Sequence, residues 1–337
     1  MLAAMSGAPR KTTITDVARA AGVSLSTVSR VMNGNATVDP ELVERVRAIA
    51  AELGYAANPL ARSLVLGRTQ TIAVVVPDLG NPTFQAILRG ISHAAAADGY
   101  HVLIADSEEH VDEERVLAEA TRRRTDGVIL CAPRMDQAQL GPLLTTLAPV
   151  VVVNREAQDA APVVAADYRH ALRELAEHLY SLGHRRIVFL AGVARSASNA
   201  ARLGALQDAR SAHADLEIIE IPAGVDVDSG AAAADAVLAT GATGVLAFND
   251  LVAMGLLTAL TDRGVRVPED ISVTGFDDIP FARHTSPPLT TSAVPAVEVG
   301  AQAWQALHAI LTGAVPTAFA TLVPELVLRS STASAPR

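Results

Sequence analysis

The 337-residue chain is half hydrophobic but only 3% aromatic, so its cores must be built mainly from Ala, Val, Leu and Ile, and its length suits two or three domains. One cysteine, Cys131, excludes an internal disulfide framework and any cysteine-cluster metal site. The net charge of −9 is unevenly spread: of 27 basic and 36 acidic side chains, residues 1–68 hold eight and five, a basic head on an acidic body that reserves any polyanion for the head. No apolar stretch approaches the ~20 residues of a bilayer span. Residues 1–10 lack the apolar run of a secretory signal, so a cytoplasmic location is expected.

The head reads as short helices with clear punctuation. Thr13 caps a first helix, with Asp16 three residues on and Val17, Ala18 and Ala21 along one face. Gly22 permits a tight turn, and Ser24 caps a second helix running to about Asn33, which together have the spacing of a helix-turn-helix. Asp39-Pro40 opens a third helix with an apolar stripe of Leu42, Val46, Ile49 and Leu53, closed by Gly54. Residues 58–64 suit a two-turn helix that is marginal without partners, and residues 67–70 a linker.

From residue 71 the pattern changes to apolar runs alternating with amphipathic helical stretches. The runs 72–76, 102–105, 128–130, 150–153, 187–190, 245–248 and 271–273 read as buried parallel strands, and 163–166 is strand-like. Such alternation predicts doubly wound α/β architecture, and the 265 or so residues it spans are too many for one sheet, so two lobes are expected, crossing near residues 167–170. Residues 330–337 read as a frayed tail.

Catalytic signatures are missing. The only lysine is Lys11, so no phosphate-binding Gly-Lys-Ser/Thr loop exists, and no G-x-G-x-x-G after a strand, G-x-S-x-G or H-E-x-x-H occurs. His170 and His178 stand two turns apart, too far for a helical metal pair. Asp277-Asp278 admits a catalytic or metal-binding reading, but adjacent carboxylates after a strand are more often a loop or helix-start feature. No enzyme, metal or cofactor is implied.

Residues 13–33 (TITDVARAAGVSLSTVSRVMN) strongly resemble the N-terminal signature of the lactose-repressor/galactose-repressor family. The likeness continues at Leu53-Gly54-Tyr55, residues 58–64, Val76-Pro77-Asp78, Asn81-Pro82, residues 182–187, Phe248-Asn249-Asp250, Gly275-Phe276-Asp277-Asp278 and residues 288–291. The resemblance implies a homodimeric transcription regulator, usually a repressor of sugar uptake or catabolism genes, binding pseudo-palindromic double-stranded operator DNA. Its fold would be an all-α helix-turn-helix head (residues 11–57), a hinge helix and linker (58–70), and an effector-binding α/β core (71–330). That core would be two doubly wound parallel-sheet lobes like those of periplasmic sugar-binding proteins: one of about 71–167 plus 297–323, the other of about 168–294 plus 324–330. A small effector between the lobes would control operator affinity.

By that resemblance the second helix enters the major groove. Arg30 can pair with guanine O6/N7, Ser26 can donate or accept, and Leu25 can meet a thymine methyl, although Arg30 could instead hold a phosphate. Thr27 and Ser29 suit phosphate or helix-start hydrogen bonds, and Thr13, Asn33, Tyr55 and Asn58 complete the DNA-facing set. Leu64 is the expected minor-groove wedge, with Ala61 leaving room for two hinge helices to approach; the alternative for Leu64 is packing against its own domain.

Residues carried over for the effector fall beyond strand ends, where doubly wound folds bind ligands: Phe84, Asn154, Arg155, Asp167, Ser198, Arg202, Asn249 and Asp277. Their chemistry suits a sugar or sugar derivative, with Arg202 and Asp277 as the centre of a clamp. Asn249 and Asp277 could equally cap helices, and Arg155 could pair with Glu156. Val225, Val294 and Ala296 depart from the family, standing where sugar-binding members often place an aromatic or glutamine. Ala205 and Leu206 likewise replace a Gly-aromatic pair, so ring stacking on the ligand is poorly supported. A secreted solute-binding protein and an α/β enzyme with an accessory DNA domain are the competing readings.

Overall fold

In a computed structural model the protein is described over residues 12–32, 38–55, 67–316 and 321–336. It divides into two compact units, Met1–Thr69 and Gln70–Arg337. The first holds three helices: α1 (Ile14–Ala21), α2 (Leu25–Met32) and α3 (Pro40–Glu52). Thr13 starts α1 by donating its backbone N–H and its hydroxyl to the Asp16 carboxylate (3.0 and 2.7 Å). Gly22 sits at φ 66°, left-handed backbone that costs glycine little, and turns the chain into α2. Asp39 caps α3 by accepting from the N–H groups of Glu41 and Leu42. Val17, Val28, Val31, Val46 and Ala50 close the small core. The inward face of α3 is thus centred on Val46 and Ala50, while Leu42 and Ile49 are half-buried. Leu53 is exposed, outside the expected stripe, because the helix ends at Glu52 and breaks the period.

The second unit begins with a five-stranded parallel sheet, ordered β2-β1-β3-β4-β5. Its strands are β1 (Thr71–Val76), β2 (His101–Asp106), β3 (Gly127–Cys131), β4 (Val150–Val153) and β5 (Val163–Val164). Helices α4 (Pro82–Ala97), α5 (Val111–Arg122) and α6 (Gln137–Leu147) connect them. β3 and β4 are buried throughout, as continuous apolar runs between two helical layers should be. β2 departs from that expectation: it is an edge strand, with Leu103 and Ile104 exposed.

The other lobe is a four-stranded parallel sheet, β7-β6-β8-β9, of β6 (Arg186–Ala191), β7 (Glu217–Pro222), β8 (Gly244–Ala247) and β9 (Ser272–Thr274). It is wrapped by α7 (Tyr168–Ser181), α8 (Ala197–Ala212), α9 (Val227–Ala232), α10 (Ala234–Ala239) and α11 (Asp250–Asp262). The chain crosses between lobes three times: between β5 and α7, between β10 (Thr291–Ala293) and α12 (Ala296–Leu311), and between α12 and β11 (Glu325–Val327). Helix α12 packs on α4 so closely that a Cβ on Gly90 would overlap the Val297 carbonyl, and one on Gly300 the Ile87 carbonyl. This crossing anchors the returning chain in the first lobe. β10 and β11 pair antiparallel beside the crossovers.

The C-terminal segment is not frayed through residue 335. Val273 N–H donates to the Ser331 carbonyl, and the fully buried Ser331 hydroxyl donates to the Val273 carbonyl (2.6 Å) and accepts from Thr290 N–H. Ala333 N–H donates to Ser272 Oγ, and Ala335 N–H to the Leu182 carbonyl. The open edge of β9 offers backbone groups that need partners, and this polar segment supplies them. No helix among the described residues is long and apolar enough to cross a membrane.

Candidate functional site

In the head, the start of α2 is tied by hydroxyls. Ser24 Oγ lies 2.8 Å from both Ser26 Oγ and Thr27 Oγ1, and accepts from Thr27 N–H (3.1 Å). Thr27 therefore serves the helix start, one of its two expected roles. Leu25, at 49% exposure, and Ser26 and Arg30 present an outward face, and Ser29 is half-buried. Thr13 is engaged with Asp16, and Tyr55 packs against the head's own core. Asn33, Asn58, Ala61 and Leu64 lie outside the described residues.

Between the lobes of the second unit, a cavity of about 30 Å³ is lined by residues from both sides. Arg202, on the first turns of α8, is its centre. Its guanidinium carbon stands 4.0, 4.3 and 4.7 Å from the ring centres of Phe276, Phe248 and Tyr168. Nη1 donates to the Ser198 carbonyl (3.0 Å), while the buried Nε has no hydrogen-bond partner. Burial lowers its pKa to about 10, opposed by the nearby Asp277 carboxylate. Burial likewise raises Asp277 to about 6, against the pull of Arg202 and a hydrogen bond from Thr83 Oγ1 (2.8 Å). That bond joins the first turn of α4 in one lobe to the loop after β9 in the other. Asp277 does not cap a helix: its φ of 106° is backbone that side chains rarely adopt, of the kind that functional loops keep at a cost of about 1–3 kcal/mol.

Neighbouring carboxylates hold this loop. Asp250, fully buried and raised well above the usual carboxylate range by that burial, accepts from Thr291 Oγ1 (2.6 Å) and Ile279 N–H (2.8 Å). Asp278 is gripped by Arg329 Nη2 at 2.6 Å. The Asp277-Asp278 pair is thus a pinned loop, and among the described residues no three His, Cys, Asp or Glu side chains group as a metal site.

Of the carried-over cleft residues, Phe84, Asn154, Ser198, Arg202 and Asp277 come together around the cavity. Asn154, at φ 55°, donates Nδ2 to Tyr168 Oη (2.9 Å). Three do not line it. Arg155 turns aside, its Nη1 donating to the carbonyls of Pro133 and Met135 (both 2.9 Å), because the loop after β3 offers unpaired acceptors beside it. Asp167 caps α7 through His170 N–H, and Asn249 caps α11 through Val252 N–H while donating to the Val225 carbonyl. The cavity instead gains Arg134 and Glu109, joined by two hydrogen bonds of 2.7 Å and following strands β3 and β2. The strand-end rule could have found both; nothing in the sequence pairs them. Glu114 orients Arg134 by accepting from the N–H groups of Arg134 and Met135. Among the family departures, Val225 faces the cavity, whereas Val294 and Ala296 lie outside it.

A head that presents a polar helix face, on a chain whose second unit closes two lobes on a charged cavity, defines the class of ligand-responsive DNA-binding regulators. Residues 13–58 match the model for bacterial regulatory proteins of the lacI family, and residues 176–332 that for a periplasmic binding protein-like domain. The chain is 35% identical to the HTH-type transcriptional regulator GalS of Salmonella typhimurium, over 95% of this chain and 96% of that one. A crystal structure of the lac repressor dimer bound to operator and the anti-inducer ONPF superposes with a TM-score of 0.88 at 28% identity, covering 96% of this chain and all of that one. A transcriptional regulator CelR–cellobiose complex does so at 0.68 and 29% identity, over 95% of this chain and all of that one. The chain belongs to the lacI family of bacterial regulatory proteins and is a DNA-binding transcriptional regulator.

Proposed function

We propose that this regulator is a homodimeric repressor of genes for sugar uptake or breakdown, acting in the cytoplasm and without enzymatic activity, whose hold on a pseudo-palindromic operator is set by a sugar-class effector between its lobes. The observation that carries the effector half is the buried Arg202, whose Nε lacks a partner at a cavity lined from both lobes. A buried donor without an acceptor is costly, and a ligand oxygen relieves it. About 30 Å³ holds little more than a water molecule, so admitting a sugar requires the lobes to part and the Thr83–Asp277 bond to break. The ligand thereby favours one arrangement of the lobes, the condition for moving operator affinity. The cellobiose complex of a similar regulator supports a sugar as the class.

The DNA half rests on the outward face of Leu25, Ser26 and Arg30, with Thr27 and Ser29 orienting, Thr13, Asn33, Tyr55 and Asn58 in support, and Leu64 as wedge beside Ala61. The working division is a DNA head at 11–57, a hinge at 58–70 and an effector core from 71. Exposed Leu103 and Ile104 on the edge strand β2, and Phe281 at 55% exposure beside Met254 and Leu257, are apolar surface that a second copy would cover.

The test is operator selection from randomised duplexes with the full chain, then gel shifts with and without members of a sugar and sugar-phosphate panel, alongside sedimentation. Selection of an inverted repeat, a dimer, and release by one panel member are expected. No enriched sequence, a monomer at operator-binding concentrations, or catalytic turnover of a panel member would overturn the reading.

A further inference from the structure

The cavity around Arg202 has a second chamber behind it. Thr83 and Asp277 line the 30 Å³ cavity on one side and, on the other, a groove of about 430 Å³ at the side of the β10–α12 crossover. That groove is walled by Pro82, Ala86, Pro280, Val294, Ala296 and Val297, so its surface is largely apolar and its side chains small. The partition between the chambers is the single hydrogen bond from Thr83 Oγ1 to Asp277, the bond that must break when the lobes part.

We propose that the effector is a two-part molecule: a polyhydroxylated head held at Arg202 and Asp277, and a neutral apolar substituent that passes between Thr83 and Asp277 into this groove. The chemical class is a glycoside with a small hydrophobic aglycone, and the inference rests on the sugar-effector reading above. Charge narrows the class further. Asp277, Asp278 and Glu298 edge the groove, and its lining carries no basic side chain, so an anionic substituent such as a phosphate is repelled while an apolar one loses water. Small side chains at Ala86, Ala296 and Ala301 leave the space that the substituent fills, and Val294 supplies apolar contact where an aromatic would close it.

The test is calorimetric titration of the full-length protein with glucose, galactose and ribose, their methyl, propyl and butyl glycosides, and their terminal phosphates. Affinity should climb about two- to fourfold per added methylene within at least one sugar series, with no gain from the phosphate. Val297→Glu, at a half-exposed position, and Ala301→Leu, which fills the groove, should each flatten that climb while the parent sugar's affinity and operator binding stay within twofold. A flat wild-type series with measurable binding of the parent sugar overturns the groove and leaves the cleft standing, as does a climb that persists in both variants. Absence of binding by every sugar and glycoside at millimolar concentration overturns the cleft reading and the groove with it.

Discussion

Replacing Arg202 by methionine separates what this side chain does for folding from what it does for the ligand. Burial holds the guanidinium pKa near 10 instead of 12.5, so its charged form is disfavoured here by about 3 kcal/mol relative to water. Against that stand its three ring contacts, worth about 1–2 kcal/mol when desolvated, and one hydrogen bond to Ser198 worth about 1 kcal/mol net. Methionine keeps most of the volume, and its sulfur packs well against rings. Urea unfolding at pH 7, followed by circular dichroism, should therefore give a variant between unchanged and about 2 kcal/mol more stable. Effector affinity should fall roughly ten- to a hundredfold, the loss of one charged hydrogen bond of about 1.5–3 kcal/mol. Operator binding without effector should persist. A loss of more than about 2 kcal/mol in stability would show the guanidinium to be a structural keystone and refute the balance drawn here. An unchanged effector response would place the ligand away from Arg202.

Arg30→Ala should weaken operator binding by about 1–3 kcal/mol and relax preference at one base position; a loss uniform across sequences would reassign Arg30 to phosphate. Asp277 sets a pH dependence. Its folded pKa of about 6 lies above its unfolded value, so the folded state retains a proton through that window and its contribution to stability declines as pH rises from about 4 to about 6, then levels. A ligand hydroxyl donating to Asp277 needs the ionised form, so effector affinity should fall as pH drops below about 6; calorimetry at pH 5 and 7.5 checks it, and equal affinities would remove Asp277 from the site. Ser331→Ala, which strips a buried donor from the Val273 carbonyl and an acceptor from Thr290 N–H, should cost about 1–3 kcal/mol and speed amide exchange along β9. Wild-type exchange there would mean that the C-terminal segment does not brace the sheet.

Local chemistry was enough to read the head and the strand order of events. Thr13, Gly22, Ser24 and Asp39-Pro40 mark helix ends through their own backbone and side-chain preferences, and continuous apolar runs mark strands such as β3 and β4 that are covered on both faces. β7 escaped notice because its Glu-Ile-Ile-Glu-Ile-Pro run is an edge strand, half solvated and without a continuous apolar run. Fold-level rules also brought Arg202, Asp277, Asn154, Ser198 and Phe84 to the cleft, since each follows the end of a strand or opens the next helix. The tertiary structure decided the rest. Whether a residue after a strand faces the cavity depends on acceptors contributed from elsewhere: Arg155 turns to the carbonyls of Pro133 and Met135, whereas Arg134, held by Glu109 and Glu114, turns to the cavity. The same holds for the C-terminal segment, whose Ser and Thr residues look like a loose end until the unpaired edge of β9 lies beside them. Turn and helix signals act between neighbours a few residues apart and so are written along the chain; pairing of buried polar groups acts across 20 to 200 residues, as between Thr83 and Asp277, and exists only once the lobes are folded.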